Sequence, residues 1–413
     1  MKILRIVYEW PPPWSGLSPA PYEMTQAQLK HGHTFDIFCG HWPFAGPLEK
    51  LPNCKFTTFI REPIPATLSL LISPLVFLYY LYWRFENTPD LIHSHGHFGM
   101  WIYGYRALLK KIFPWSKDLK IPLVVHFHNT VAGRKSALEE KELEIKFYSR
   151  YISWPLAELS DRWAVKVASA CVFVSQQNKD EAVKYYYADP NKCFVVETGV
   201  NTELFKQVGR EEKEKIHRDL GMDPADIIIV NHGVMTERKN IHLLLEALEF
   251  LPPFYKLFLV GSGDKEYLAS LSSIIRDKNL GNRVIKAGYT PYPETAIAFQ
   301  AADIFVLPSS FEGLPKVVLQ SLSCGIPALV SGFKAKEEIA GLFYLDNLEP
   351  KNIAEKIMDI IENKKTFVDQ NKIVSIYSWK EKAREMEAVY DFAIKNTPLP
   401  SSHPPRENVK INP

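Results

Sequence analysis

The sequence predicts an α/β chain of two doubly wound parallel-sheet halves, and three observations carry that prediction. Short continuous apolar runs, such as Ile304-Phe305-Val306-Leu307, recur along the chain as strands buried on both faces do. They alternate with stretches of helical spacing, which favours a parallel sheet covered on both faces. The pattern runs once to about residue 200 and restarts at residue 226, after a charged segment at 209–215 that reads as a linker. Two such halves imply a cleft between them, the usual place for a ligand. A chain of 413 residues with 46% hydrophobic content can fill both cores.

In chain order, residues 1–7 read as the first strand and Pro11-Pro12-Pro13-Trp14-Ser15-Gly16 as a rigid loop. A helix over 22–30, the step Gly32-His33 and a strand over 34–39 follow. Further strands are predicted at 90–94, 123–128, 170–175 and 194–196, with a charged segment of helical spacing at 138–150. In the second half, strands fall at 226–231, 255–260 and 284–285, and helices at 240–250, 267–279 and 293–301. An amphipathic helix over 379–395 precedes a Pro- and Ser-rich stretch that reads as a disordered tail from about 396. The expected organisation is a first domain over 1–205, a second over 206–378, a C-terminal helix over 379–396 packing back toward the first, and a tail over 397–413.

Residues 303–330 carry the clearest functional signal. They read as a buried strand, a sharp loop (Ser309-Ser310-Phe311-Glu312-Gly313-Leu314), a helix opened by Pro315 and closed by Gly325 and Pro327, and another strand. A helix N-terminus at the carboxyl end of a parallel strand is a place for an anion, most often a phosphate. A carboxylate at Glu312 would repel that phosphate, and fits better against a sugar.

Composition excludes several classes. A formal net charge of +2 argues against a nucleic-acid binder. The five cysteines form no CxxC pair and read as buried thiols of a reducing compartment. The amino terminus reads as a strand and not as a signal peptide, so a cytoplasmic protein is expected. Residues 66–83 hold no charge, as a membrane span would. Pro74 and several tyrosines within them favour a core or surface helix, with peripheral contact at the inner face of the membrane as the intermediate reading. Gly261-Ser262-Gly263 begins a dinucleotide fingerprint, but Glu266 stands where its third Gly should be. No nucleophile elbow supports a hydrolase.

Taken together, Pro12-Pro13-Trp14-Ser15-Gly16, Asp90-Leu91-Ile92-His93-Ser94-His95-Gly96, Thr198-Gly199-Val200-Asn201, Gly233 to Lys239, Val260-Gly261-Ser262-Gly263 and Pro308-Ser309 to Gly325-Ile326-Pro327 resemble the retaining glycosyltransferases of the GT-B fold, family 4. The resemblance spans nearly all of 1–395. It implies two Rossmann-like domains facing across a cleft, and transfer of a hexose from a nucleotide sugar to a sugar or lipid-linked glycan acceptor, as in surface-glycan assembly. It implies catalytic roles for Glu312, His128 and Lys239. Donor contacts would come from Gly16, Gly233, Arg238, Lys239, Gly261, Tyr289, Thr290, Glu312, Gly313, Leu314, Lys316, Val317 and Gln320. By the period of two, His126 and His128 point the same way, so the choice between them stays open.

The sequence departs from the family pattern twice. Gln320 stands where the family has its second Glu, on the ribose, and Val234 where it usually has a phosphate-binding Arg. Two rival readings follow: a non-catalytic carbohydrate- or nucleotide-binding GT-B protein, and a GT-B nucleotide-sugar epimerase. No cofactor is expected beyond the donor substrate. The alternation of His93, His95 and His97 admits a metal site, but no Cys or carboxylate accompanies them and no DxD run is present, so no metal is expected.

Overall fold

The computed structural model describes residues 1–14, 16–61, 67–133, 135, 147, 149–312, 315–335, 337–363 and 367–397. The chain forms two compact units, one of Met1–Glu197 together with the chain from Ala383, the other of Thr198–Lys382.

Among the described residues, the first unit holds a seven-stranded parallel sheet of order β3-β2-β1-β4-β5-β6-β7. Its strands are β1 (Lys2–Val7), β2 (Thr34–His41), β3 (Cys54–Ile60), β4 (Leu91–His95), β5 (Leu123–Phe127), β6 (Ala170–Phe173) and β7 (Cys193–Val195). The central strands β4, β5 and β6 are buried on both faces, which is why β5 and β6 read as largely apolar runs, while β4 buries His93, Ser94 and His95 as well. β3 is the edge strand and half exposed, so its sequence carries no such run, and the reading above had no strand there.

The second unit holds a six-stranded parallel sheet of order β10-β9-β8-β11-β12-β13. Its strands are β8 (Ile227–His232), β9 (Tyr255–Val260), β10 (Val284–Gly288), β11 (Ile304–Leu307), β12 (Ala328–Val330) and β13 (Leu342–Tyr344). In each sheet the strand order reverses once, between β1 and β4 and between β8 and β11. The crevice outside the carboxyl ends of the strands at such a reversal is where open α/β sheets bind ligands.

Two readings need correction. Residues 209–215 are no linker, because Arg210–Asp219 is a helix. It is stabilised by the Arg210–Glu214 pair one turn apart (2.9 Å), by acids in its first turn and by basic residues in its last. A helix polar on nearly every side offers little apolar periodicity to read. Asn396 and Thr397 are ordered: the Asn396 amide N–H donates to Phe392 O (3.0 Å) and the Thr397 hydroxyl to Ala393 O (2.6 Å). The rest of the predicted tail, and most of the helical segment predicted at 138–150, lie outside the described residues.

The uncharged stretch forms the helix Thr67–Arg84, packed by Leu70, Val76, Tyr80 and Trp83 while Leu71, Leu75, Leu78 and Tyr82 are exposed. Among the described residues no helix is long and apolar enough to cross a membrane. All five cysteines are free, and four are buried.

Candidate functional site

In the second unit the loops after β8, β9 and β10 stack backbone on backbone. Gly233 N–H donates to Val260 O (3.0 Å), Gly261 N–H to Gly288 O (2.7 Å) and Met235 N–H to Ser262 O (2.9 Å). A Cβ on Gly261 would sit 2.1 Å from Gly233 O, and φ there is +128°, so only glycine fits. Gly261→Ala is therefore expected to destabilise this unit by about 3 kcal/mol in urea denaturation. Gly281→Ala is the control, since a Cβ there meets nothing within 4 Å.

This stack presents Lys239. Its ammonium lies over Gly233, 2.6 Å from where a Cβ would stand, so the glycine makes room for the cation. The turn Glu237–Lys239 ends at Asn240, which adopts the left-handed conformation at φ 50°. The Asn240 amide donates to Pro308 O and Ser310 Oγ (both 2.9 Å), and Ser310 N–H donates to Arg238 O (2.9 Å). The β8 loop and the β11 loop are thus tied together at the strand-order reversal. Asn240 was not singled out from sequence; an Asn just ahead of an apolar helix is the signal, because Asn is among the few residues that take this backbone region readily.

Glu312 completes the loop pair. Its carboxylate accepts from Ser309 Oγ (3.0 Å) and pairs with Arg238 (2.8 Å), while its N–H donates to Gly332 O (2.8 Å). Arg238 also donates to Phe311 O. Its guanidinium is therefore engaged with Glu312 and the loop backbone. Lys239 has its pKa lowered by burial, an effect opposed by Glu312 and reinforced by Arg238. Val234, at the position of the absent cation, is 62% exposed.

His232, just before Gly233, has its pKa pushed down to about 4 by burial and by Lys239. The unfolded chain then takes up the proton first as the pH falls. Stability is complete above about pH 6.5 and drains away down to about pH 4, by at most about 3 kcal/mol for this partly exposed ring. Denaturation midpoints between pH 7 and 4.5 should fall more steeply for the wild type than for His232→Asn.

Lys316 and Val317 open the helix Lys316–Ser323, whose first N–H groups have no acceptor within the helix. Gln320 on the same helix is 6% exposed, and its Oε1 is buried without a partner. Tyr289 (exposed) and Thr290 follow Gly288, whose carbonyl holds Gly261. Gly313 and Leu314 lie outside the described residues.

Gly16 and His128 belong to the first unit, and the other described site residues to the second. Gly16 has φ +60°, and a Cβ there would lie 2.9 Å from the Glu9 carboxylate, which accepts from Leu17 N–H (2.7 Å). Glu9 is a buried acid that the sequence reading passed over. The rings of His126 and His128 stack at 4.8 Å, so they do share a face, and His95 Nδ1 reaches His128 Nε2 at 3.2 Å. Burial drives His93, His95 and His126 well below the usual histidine pKa, as does their crowding by neighbouring cationic groups. His97 stands apart, on Asp161 (2.9 Å).

Residues 14–204 match the family described as Glycosyltransferase Family 4, and residues 212–374 the one described as Glycosyl transferases group 1. An uncharacterized glycosyltransferase of Methanocaldococcus jannaschii, MJ1607, is 22% identical over 96% of this chain and 99% of its own length. The UDP-Gal:alpha-D-GlcNAc-diphosphoundecaprenol alpha-1,3-galactosyltransferase of Escherichia coli is 26% identical over 70% of this chain and 69% of its own. Among solved structures, Anabaena Alr3699/HepE in complex with UDP and glucose superposes with a TM-score of 0.68 at 16% identity, over 95% of this chain and 99% of that one.

Proposed function

Because this chain belongs to the family 4 glycosyltransferases of GT-B fold, we propose that it moves a hexose, with retention at the anomeric carbon, from a nucleoside-diphosphate sugar to a sugar or lipid-linked glycan acceptor. The observation that carries this reading is the Lys239 ammonium cradled over Gly233 and facing the Ser309–Glu312 loop at the β8/β11 reversal. In that place Lys239 and the N-terminus of the helix Lys316–Ser323 meet the charge that grows on a departing nucleoside diphosphate. Glu312, held by Arg238 and Ser309, meets the sugar, Gln320 the ribose, and His128 the acceptor side. The bound UDP and glucose of the Anabaena protein support the donor class, and the diphosphoundecaprenol substrate of the Escherichia coli enzyme supports a lipid-linked acceptor.

A lipid acceptor calls for contact with a membrane surface. Leu71, Leu75, Leu78 and Tyr82 are 55–67% exposed at spacings of three and four, which makes one apolar stripe along the helix Thr67–Arg84. Exposed Phe113 and Trp115 follow Lys110 and Lys111 at the end of the helix Met100–Ile112, the mixture that anionic lipid attracts. Leu75→Glu with Leu78→Glu should abolish co-sedimentation with phosphatidylglycerol vesicles without lowering the melting temperature.

The test of the central reading is a thermal-shift screen across UDP-, GDP- and ADP-hexoses, followed by nucleoside-diphosphate release with and without glycan acceptors. Acceptor-dependent release is expected. Binding without release from any donor would leave a non-catalytic protein, and conversion of the sugar without acceptor would make it an epimerase.

A further inference from the structure

We propose that the first unit carries a divalent metal site built from His93, His95 and His126, of the imidazole-preferring class in which zinc is the chief candidate. The three residues lie toward the carboxyl ends of β4 and β5, where His95 and His126 are register partners and His93 lies one alternation upstream. All three are buried, at 0%, 6% and 7% exposure. From the sequence, a metal at His93, His95 and His97 is discounted because no Cys or carboxylate accompanies them. The fold supplies the third ligand from the neighbouring strand instead, and three imidazoles are a sufficient protein set for zinc.

Two features distinguish a ligand set from a stack of packed rings. Four ring nitrogens are buried without any partner: His93 Nε2, His95 Nε2 and both nitrogens of His126. Buried polar atoms are nearly always satisfied, and four orphans in one cluster ask for a common partner. In addition, the other nitrogen of two of the rings is already held. His93 Nδ1 meets the Tyr390 hydroxyl (2.7 Å), and His95 Nδ1 meets His128 Nε2 (3.2 Å). An outer hydrogen bond on one nitrogen, with the other left for the ion, is the usual arrangement of metal-bound histidine. Burial also keeps these rings in the neutral form that binds metals.

One candidate ligand atom from each residue lies within 4.8 Å of the others. Ligands about 2 Å from a tetrahedral zinc stand about 3.4 Å apart, so modest rotation of the rings about χ2 is needed to close on an ion. That rotation must break the near-parallel stack of His93 on His126, now 5° between planes. Arg5 lies beside His93 Nδ1 (3.3 Å), and its charge works against a bare dication. It favours an anionic oxygen, such as hydroxide, in the fourth position. Through His95 the ion would also fix the ring of His128.

The test uses the full-length, tag-free protein, stripped with chelator and titrated with Zn²⁺ and with Co²⁺. About one zinc per chain should survive desalting, the melting temperature should rise with added zinc, and cobalt should give the ligand-field band of a tetrahedral site. His93→Gln and His95→Gln should each lose these signals, while His97→Gln, whose ring is engaged by Asp161, should keep them. Because a buried variant can misfold, the wild-type titration decides by itself. If the wild type shows neither zinc retention nor a cobalt band, the site is overturned. Equal loss in His97→Gln overturns the assignment to these three residues.

Discussion

Lys239→Ala is expected to lower nucleoside-diphosphate release by about 10²–10³-fold at saturating donor, the usual loss when one preorganised charge-stabilising group is removed. The size of the effect follows from what surrounds the lysine. Arg238, the adjacent cation, is already bound to Glu312 (2.8 Å) and to Phe311 O, so it is not free to replace Lys239 without releasing the carboxylate. Val234 brings no charge to the position where family members usually carry Arg. The loop that holds Lys239 over Gly233 is tied down by Met235, Asn240 and Arg238 without the lysine side chain, so its removal should leave the unit folded, which circular dichroism will check. Val234→Arg has open solvent in which to place its side chain, and in the Lys239→Ala background it should restore part of the rate. A loss smaller than about tenfold would show that helix N–H groups carry the leaving-group charge and that the lysine is peripheral.

The sequence was most readable where burial was most complete. β5, β6 and β11 are enclosed on both faces, and each stands out as a largely apolar run. β3 and β13 lie at sheet edges with partly exposed residues, and neither pattern rises above its surroundings. The helix Arg210–Asp219 was mistaken for a linker because charge pairing, and not an apolar face, holds it. Within the site, motif order located Gly233, Lys239, Gly261 and Glu312, whose loops the fold does bring together. It could not reveal that Arg238 is committed to Glu312, or that Asn240 staples the two loops, because both facts depend on contacts roughly 70 residues apart in sequence. The same limit hid the histidine cluster: alternation along one strand was visible, but the pairing of His95 with His126 across β4 and β5 was not.

Gln320→Glu should have opposite effects on the free and the donor-bound protein. The side chain is 6% exposed and its Oε1 has no partner, so a carboxylate there would be charged, buried and unpaired. In the free protein this should cost about 2–4 kcal/mol, which in a unit of this size lowers the melting temperature by roughly 5–15 °C. Donor reverses the sign. If Gln320 faces the ribose, the carboxylate accepts from its hydroxyls with charge-assisted strength, and donor should raise the melting temperature further in the variant than in the wild type. The two measurements separate roles that either alone would confuse. A destabilised variant with an enlarged donor shift places the ribose at Gln320, and explains the neutral side chain as the choice that keeps the empty site folded. A destabilised variant whose donor shift shrinks makes Gln320 a packing residue, and the ribose must then be sought elsewhere on the helix Lys316–Ser323.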